Sequence, residues 1–220
     1  MARHAKNPAG EGTKVDLDQL YTPDSLARIL IRVLAEDHGL NTASLVIEPS
    51  VGGGAFARQL RASVPDASLI VVDVDASSRG LAVDGATPVV GDFLALAESL
   101  RGALDGGVAV VGNPPFSKAH RSGEPHVKAA LGLAFGEGLK PSPGGPGIVA
   151  MLLPTDFLCS KGRAEWLRDN PPQVYFLYPR PKFHGPSDKG MGGQQNLAFL
   201  VWSGTPPGAP RWINIDEVST

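Results

Sequence analysis

The sequence predicts an α/β fold in which a mostly parallel sheet of seven strands, with an antiparallel hairpin at its C-terminal end, is covered by helices on both faces. Three observations support this prediction. Short apolar runs alternate with segments of helical periodicity. Polar or Gly-rich turns follow most of the apolar runs. Hydrophobic residues make up 42% of the 220 residues, which suffices for one domain with a buried sheet.

The seven predicted strands are short runs of aliphatic and aromatic residues bounded by turn residues. They are residues 45–47, 69–72, 88–90, 108–111, 148–153, 174–177 and 197–202. Helices are predicted at 55–62, at about 126–139 and at 163–168. Another helix is expected to begin at Pro23, with Thr22 as its N-cap and Leu26, Leu30 and Leu34 on its apolar face.

The chain is predicted to have one folded domain with two flanking segments. Residues 1–20 are expected to form a flexible tail, residues 21–203 the domain, and residues 204–220 a C-terminal extension. The start of the chain lacks the apolar stretch of a secretory signal, and no run is apolar enough to span a bilayer. A cytoplasmic protein without membrane association is therefore expected. The single cysteine, Cys159, excludes an internal disulfide and a cysteine-rich zinc site.

Charge is distributed unevenly along a chain whose formal net charge is -2. Residues 1–113 carry 9 Lys or Arg against 14 Asp or Glu, whereas residues 114–190 carry 10 against 6. The basic surplus lies directly after the segment Asn113-Pro114-Pro115-Phe116. A polyanion bound near this segment would meet those cations, although an ordinary solvated surface would have the same composition.

A Gly-rich turn follows the first predicted strand, in the order Glu48-Pro49-Ser50-Val51-Gly52-Gly53-Gly54-Ala55-Phe56. Glycines after a strand let the backbone pass close to a ligand. No Gly-Lys-Ser/Thr sequence follows, so a P-loop is excluded. Glu48 at the mouth of the turn would repel a pyrophosphate, which disfavours a dinucleotide site. A carboxylate here suits a cofactor that carries an ammonium group and a sulfonium centre.

Two further acids follow the next two strands. Asp73 directly ends the second predicted strand, where a carboxylate accepts hydrogen bonds from both ribose hydroxyls of a nucleoside. Asp75 is the close competitor for this role. Asp92, after the third strand, is suited to accept from an adenine amino group while Phe93 packs on the ring. Each acid is also typical of a helix cap or a solvated loop, but three in succession favour a nucleoside cofactor.

The segment Asn113-Pro114-Pro115-Phe116 follows the fourth strand and predicts chemistry on an amine. An aromatic amine is a poor nucleophile because its lone pair is delocalised into the ring. If the Asn113 side-chain oxygen and the Pro114 carbonyl accept its two hydrogens, the lone pair turns toward an electrophilic methyl group. The prolines hold both acceptors in place, and Phe116 offers a face for a planar base.

In this order the motifs resemble those of the S-adenosylmethionine-dependent amino-methyltransferases that make N6-methyladenine in DNA. The matching elements are Tyr21-Thr22-Pro23, the Glu48–Phe56 turn, Asp73, Gly91-Asp92-Phe93 and Asn113–Phe116. A Tyr-Thr-Pro segment ahead of the Gly-rich turn is similar to the gamma arrangement of that family. The resemblance covers about residues 20–203 and implies a Rossmann-like class I methyltransferase fold.

The resemblance also assigns roles to individual residues. Tyr21 and Thr22 would contact the methionine carboxylate of the cofactor, and Glu48 would lie near its ammonium group. The remaining cofactor contacts would come from Pro49, Gly52, Gly54, Phe56, Asp73, Asp92 and Phe93. The catalytic segment would be Asn113, Pro114, Pro115 and Phe116, which would hold the target base. Phe183 is the best match to a second aromatic on the opposite face of a flipped base.

The sequence indicates the substrate less specifically than it indicates the reaction. Family members usually carry a target-recognition domain, for which this chain leaves no room, so DNA would be met by loops 117–125 and 179–195, by a separate specificity subunit or by a second copy. Lys118, Arg121 and Lys182 in these loops are candidate phosphate contacts. RNA adenine, as the substrate, and a catalytically silent cofactor-binding partner stay open as alternatives, as does a role in restriction-modification. His120 and His126 lack a third ligand nearby, so no metal site is predicted.

Overall fold

The computed structural model describes residues 21–104, 106–116, 123–136, 147–184, 190–191 and 196–216. These residues form an eight-stranded, mostly parallel sheet with helices on both faces, and a separate two-stranded ribbon. The predicted tail at 1–20 and most of the predicted loop at 117–125 lie outside the described residues. The α/β class is confirmed.

All seven predicted strands are present, and their bounds extend the predicted runs by up to two residues. The strands are β1 (Leu45–Glu48), β2 (Ser68–Asp73), β3 (Ala86–Val90), β4 (Val108–Gly112), β5 (Ile148–Pro154), β6 (Gln173–Tyr178), β7 (Phe183–His184), β8 (Gly190–Met191), β9 (Leu197–Ser203) and β10 (Arg211–Asn214). The helices are α1 (Asp24–Asp37), α2 (Ala55–Ser63), α3 (Phe93–Ser99), α4 (Glu124–Phe135) and α5 (Ala164–Asp169).

The strand order in the sheet is β10-β6-β9-β5-β4-β1-β2-β3. Strand β9 is antiparallel to both β5 and β6, which confirms the predicted C-terminal hairpin. Strand β10 was not predicted; it lies within residues 204–220 and pairs in parallel with β6. Strand β3 forms the other edge and has Pro88 at its centre, as expected for a residue that is tolerated mainly on edge strands.

The central strands are apolar on both sides because each side faces helices. In β1, Val46 belongs to the core beneath α1 and α2, whereas Ile47 belongs to the core beneath α3, α4 and α5. In β2, Val71 and Val72 divide in the same way. This alternation explains why the strands appear in the sequence as continuous apolar runs.

Two helical expectations need correction. Pro23, not Thr22, is the N-cap residue of α1, and no side chain caps this helix. Helix α3 was not predicted; Asp92 is its N-cap, with the carboxylate accepting from the Leu94 amide at 2.9 Å.

Part of the loop predicted at 179–195 forms a ribbon, in which Phe183 pairs with Met191 and His184 with Gly190.

Candidate functional site

The predicted site residues gather at one end of the sheet because four neighbouring strands are parallel. Strands β4, β1, β2 and β3 are adjacent, and their C-terminal ends therefore share one edge. Asn113, Glu48, Asp73 and Asp92 follow or end these strands in that spatial order. This is the edge at which ligands of open α/β sheets bind.

The Gly-rich turn between β1 and α2 is held to the end of β2 by the Asp73 carboxylate. Its Oδ2 accepts from the Gly52 amide at 2.8 Å, and its Oδ1 accepts from the Asp75 amide at 2.9 Å. Asp73 therefore has a structural task that the sequence did not indicate. Each carboxylate oxygen can accept a second hydrogen bond, so these bonds leave room for ribose hydroxyls.

Glu48 is the most unusual group at this edge, because it is a carboxyl in an almost closed environment. It is only 2% exposed, and its Oε2 has no hydrogen-bond partner among the residues the structure describes. Burial raises the pKa of Glu48 well above its usual value, while the Ala57 backbone amide opposes this rise. A buried oxygen without a hydrogen-bond partner lowers the stability of the fold. A cation that reached it would relieve that cost.

Tyr21 and Thr22 lie over the Gly-rich turn although they are far from it in sequence. Gly52 has φ 45°, and a Cβ there would lie 3.0 Å from Cδ1 of the Tyr21 ring. The space between this ring and Glu48 is about 20 Å³, close to the volume that holds one water. The Tyr21 ring is therefore one wall of the small space that borders Glu48.

The Thr22 side chain connects this region to the Asn-Pro-Pro-Phe segment. Asn113 Nδ2 donates to Thr22 Oγ1 at 3.3 Å, and both residues line the same small space as Glu48. Pro114 is buried, and Phe116 is half-buried against the core under α1 and α2. The structure thus brings together three elements that the sequence separates by up to 95 positions.

Two of the predicted aromatic contacts lie in the hydrophobic core. Phe93 is 1% exposed and stacks on His126, with the ring centroids 5.6 Å apart. Phe183 is 5% exposed and belongs to the core under α1 and α2. Phe56 is also buried but lines the space beside Glu48. The ligand contacts assigned to Phe93 and Phe183 stay predictions.

The remaining predicted substrate residues are only partly described. Lys182 is exposed directly before β7. Lys118 and Arg121 lie outside the described residues, as do His120 and Lys189. Arg180, in the same stretch as Lys182, donates from Nε to the Asn196 side chain at 2.8 Å and so connects the two ends of the 179–195 loop.

Sequence reasoning missed the segment after β2 as a part of this site. The Gly80 amide donates to the Gly52 carbonyl at 2.8 Å, and a Cβ on Gly80 would lie 2.8 Å from the Gly54 nitrogen. Arg79 lies over the Tyr21 ring, 5.9 Å from its centroid. Arg79 and Arg58 border an open cleft of about 340 Å³ on the far side of that ring. A Ser-Arg-Gly sequence carries no local signal of such contacts.

Two further properties of the described ranges concern metal ions and membranes. No group of three or more His, Cys, Asp or Glu side chains among them is arranged to hold a metal ion. None of the helices in the same ranges combines the length and the apolar character needed to cross a bilayer.

Comparison with known proteins gives one relative in sequence. In an alignment 115 positions long that covers 48% of this chain, the sequence is 30% identical to the type II methyltransferase M.XamI of Xanthomonas campestris pv. amaranthicola. The match covers 20% of that protein, so the chain spans about a fifth of its relative's length. No protein-family model matches the sequence.

Solved structures resemble the chain over nearly its whole length. A class I S-adenosylmethionine-dependent methyltransferase from Listeria monocytogenes aligns with a TM-score of 0.61 and 15% identity, covering 94% of this chain and 69% of that one. A type I restriction-modification methyltransferase subunit from Streptococcus thermophilus aligns at 0.54 and 13%, covering 92% and 49%. An RNA methyltransferase from Pyrococcus horikoshii aligns at 0.53 and 18%, covering 90% of each chain. The chain therefore has the Rossmann-like fold of class I methyltransferases, as expected from the resemblance.

Proposed function

We propose that this chain is an S-adenosylmethionine-dependent methyltransferase that acts on the N6 amino group of adenine in DNA. The observation that carries the proposal is the position of Asn113 at the end of β4, hydrogen-bonded to Thr22 and lining the same space as Glu48. An acceptor for an amine thus lies beside a carboxylate suited to the cofactor. The sequence likeness to a type II methyltransferase supports the same activity.

The buried groups fit the cofactor in charge and in hydrogen bonding. When bound, S-adenosylmethionine supplies an electrophilic methyl group on a sulfonium centre. Glu48, whose Oε2 is buried without a partner among the described residues, would accept from the ammonium group of the methionine part. Asp73 would accept from the ribose hydroxyls with its remaining lone pairs. Tyr21 would turn off the Gly-rich turn and contact the methionine carboxylate together with Thr22.

Asn113 would hold the target amine in a defined direction. Its Nδ2 donates to Thr22, so Oδ1 is the end of the amide that faces a donor. Oδ1 and the Pro114 carbonyl would accept the two amine hydrogens and turn the nitrogen lone pair toward the methyl group. The nitrogen would then be directed at the methyl carbon, and the carbon–sulfur bond would break with its electron pair passing to sulfur, which would leave as the neutral thioether. The alkylated nitrogen then loses one proton, which is acidic at that stage, so a strong base is unnecessary.

The choice of DNA as the substrate comes from the proteins that this chain resembles. A type II methyltransferase and a type I restriction-modification methyltransferase subunit are among the proteins similar to this chain, and this similarity favours DNA and a role in restriction-modification. Target recognition would come from the loops at 117–125 and 179–195, from a separate specificity subunit or from a second copy. RNA adenine is the second candidate, since an RNA methyltransferase shares the fold.

Incubation with tritiated S-adenosylmethionine and unmethylated DNA or RNA in parallel, followed by nucleoside analysis, tests the proposal. We expect label in N6-methyldeoxyadenosine from DNA. Label only in N6-methyladenosine from RNA would overturn the choice of DNA, and cofactor binding without any transfer would favour a catalytically silent partner protein.

A variant tests the role of Asn113 separately. Asn113→Ala is expected to lower the transfer rate by about 100-fold or more, the size seen when one hydrogen-bonding group at a reacting atom is removed, while cofactor affinity changes little. The matched control is Asn41→Ala, because Asn41 is exposed at the opposite end of the sheet. Equal losses of affinity and rate in Asn113→Ala would assign the residue to the cofactor site or to the fold.

A further inference from the structure

On one face of the sheet edge formed by β6 and β10, aromatic side chains continue from the core under α3, α4 and α5, which Phe176 contacts, to an exposed surface. Trp212 of β10 is 66% exposed and Tyr178 of β6 is 47% exposed. The register sets Trp212 beside Phe176, and their ring centroids are 5.2 Å apart. Because side chains two residues apart point to the same face of a strand, Phe176 and Tyr178 share that face. We call Phe176, Tyr178 and Trp212 the aromatic strip.

The fold does not need the exposed members of the aromatic strip for its core. On the other face of the same strands, Tyr175 is 1% exposed and Leu177 is 8% exposed. Ile213 of β10 packs on the core of that face as well. Large exposed aromatic residues that lie together are typical of a binding surface.

The strip extends to the end of the sheet at which the candidate site lies. Strand β6 is antiparallel to β9, which is antiparallel to β5, so β6 and β10 point in the same direction as β4. Tyr178 therefore ends its strand at the same edge as Asn113. Exposed cations, Arg180 and Lys182, follow Tyr178 directly along the chain.

We infer that the aromatic strip binds unpaired bases of the nucleic-acid strand that carries the target adenine, an inference that rests on the proposed function. Flat aromatic faces next to cations are the combination that holds single strands, since bases stack on the rings while phosphates meet the cations. Bases inside a duplex are already stacked on each other and present only their edges. The strip therefore selects nucleotides that are unpaired beside the target.

Binding of the full chain to a short oligothymidylate, which contains no adenine, tests this inference separately from methylation. Stacking on Trp212 is expected to quench tryptophan fluorescence, because Trp202 is 1% exposed and Trp166 is partly buried. Trp212→Ala and Tyr178→Ala are each expected to weaken binding by about tenfold, as measured by the fluorescence anisotropy of an end-labelled oligothymidylate, which does not depend on Trp212. Trp212→Phe, which keeps an aromatic face, is expected to retain most of the affinity. A duplex of the same length is expected to bind with little quenching.

The control is Val90→Ala, which removes a side chain that is 59% exposed on the opposite edge of the sheet and is expected to leave binding unchanged. Undiminished binding by Trp212→Ala and Tyr178→Ala, or no binding by the unaltered chain, would overturn the inference. A dimer in sedimentation that Trp212→Ala dissociates would assign the strip to a second copy instead. Quenching without any methylation of nucleic acid would retain the strip and reject the proposed function.

Discussion

Both ends of the sheet hold buried polar side chains, but the protein satisfies them to different degrees. At the end where β1 and β4 finish, a Glu48 carboxylate oxygen has no partner among the described residues. At the opposite end, both ring nitrogens of His38 are hydrogen-bonded, Nδ1 with Ser203 Oγ and Nε2 with the Tyr175 hydroxyl, each at 2.8 Å.

We call His38, Tyr175, Asp37, Ser203 and Arg211 the His38 cluster. A consistent donor and acceptor can be assigned to each of its hydrogen bonds. The Tyr175 hydroxyl donates to Asp37 Oδ2 at 3.0 Å, and Asp37 also pairs with Arg211. Tyr175 can therefore accept from Nε2–H of a neutral His38, whose Nδ1 accepts from Ser203. Burial lowers the pKa of His38, which favours this neutral form, and burial together with Asp37 raises the pKa of Tyr175.

The difference distinguishes polar groups whose hydrogen bonds are made within the protein from the Glu48 carboxyl group, which we propose as a cofactor contact. The His38 cluster joins the end of α1 to strands β6, β9 and β10 through bonds within the protein. Glu48 has a buried oxygen with no such bond among the described residues. Substitutions at the two ends are therefore expected to have different effects.

Glu48→Gln is expected to weaken cofactor binding by about 10- to 100-fold, since a hydrogen bond to a charged group contributes roughly 1.5–3 kcal/mol. Isothermal titration calorimetry with S-adenosylmethionine measures the change. Glu98→Gln, on the exposed surface of α3, is the control and should bind as the unaltered chain does. Equal affinity in both variants would contradict the view of Glu48 as a ligand group.

Gly80→Ala is expected to disturb the Gly-rich turn between β1 and α2, because the new Cβ would lie 2.4 Å from Val51 Cγ2 and 2.8 Å from the Gly54 nitrogen. Overpacking of this kind costs about 1–3 kcal/mol. Urea unfolding and cofactor titration should both show the loss. Gly91→Ala is the matched control, since a Cβ there has no neighbour within 4 Å among the described residues.

Tyr175→Phe is expected to lower the free energy of unfolding by about 1–3 kcal/mol, because His38 and Asp37 lose a shared partner in a buried place. Cofactor affinity should stay unchanged, as this cluster lies at the other end of the sheet. Urea unfolding measures the first and calorimetry the second. Tyr178→Phe, at an exposed hydroxyl, should be as stable as the unaltered chain, and a fall in cofactor affinity for Tyr175→Phe would remove the distinction between the two ends.

The smallest expected effect is a pH dependence of stability with opposite signs at the two ends. The pKa of Glu48 is raised, so its contribution is full below 4.5, the value of an ordinary Glu, and is lost as pH rises through the pKa of the folded state. The pKa of His38 is lowered, so its contribution is full above 6.5 and is lost as pH falls through the pKa of the folded state.

Each group changes stability by at most about 1.4 kcal/mol per pH unit. Urea unfolding over a range of pH should show Glu48→Gln removing the loss of stability as pH rises above 4.5 and His38→Gln removing the loss as pH falls below 6.5. If each substitution leaves its branch of the pH profile intact, other groups cause the dependence.

The sequence predicted the strands and the place of the site because local patterns determine both. A strand buried on both faces is a continuous apolar run, and the polar residue after it marks the strand end, as at Glu48 and Asp73. Parallel pairing then collects those ends at one edge. Neither the apolar runs nor the strand ends depend on contacts between distant residues.

The parts that could not be predicted depend on such contacts. Thr22 has the chemistry of an N-cap, but its hydroxyl accepts from Asn113, 91 positions away. The sequence around Phe93 is compatible with an adenine site and also with the hydrophobic core. Only the stacking of Phe93 on His126 shows that the ring lies in the core. Gly80 approaches Gly54 across the turn, which no local pattern indicates.

The proline at the centre of β3 has a consequence for how the molecule behaves at high concentration. An open sheet edge is a template on which another chain can add a strand, and repeated addition leads to aggregates. Pro88 has no N–H group and cannot donate a hydrogen bond to an incoming strand. Pro88 therefore protects this edge from polymerisation, and its replacement by a β-branched residue such as valine would make the folded chain more prone to self-association.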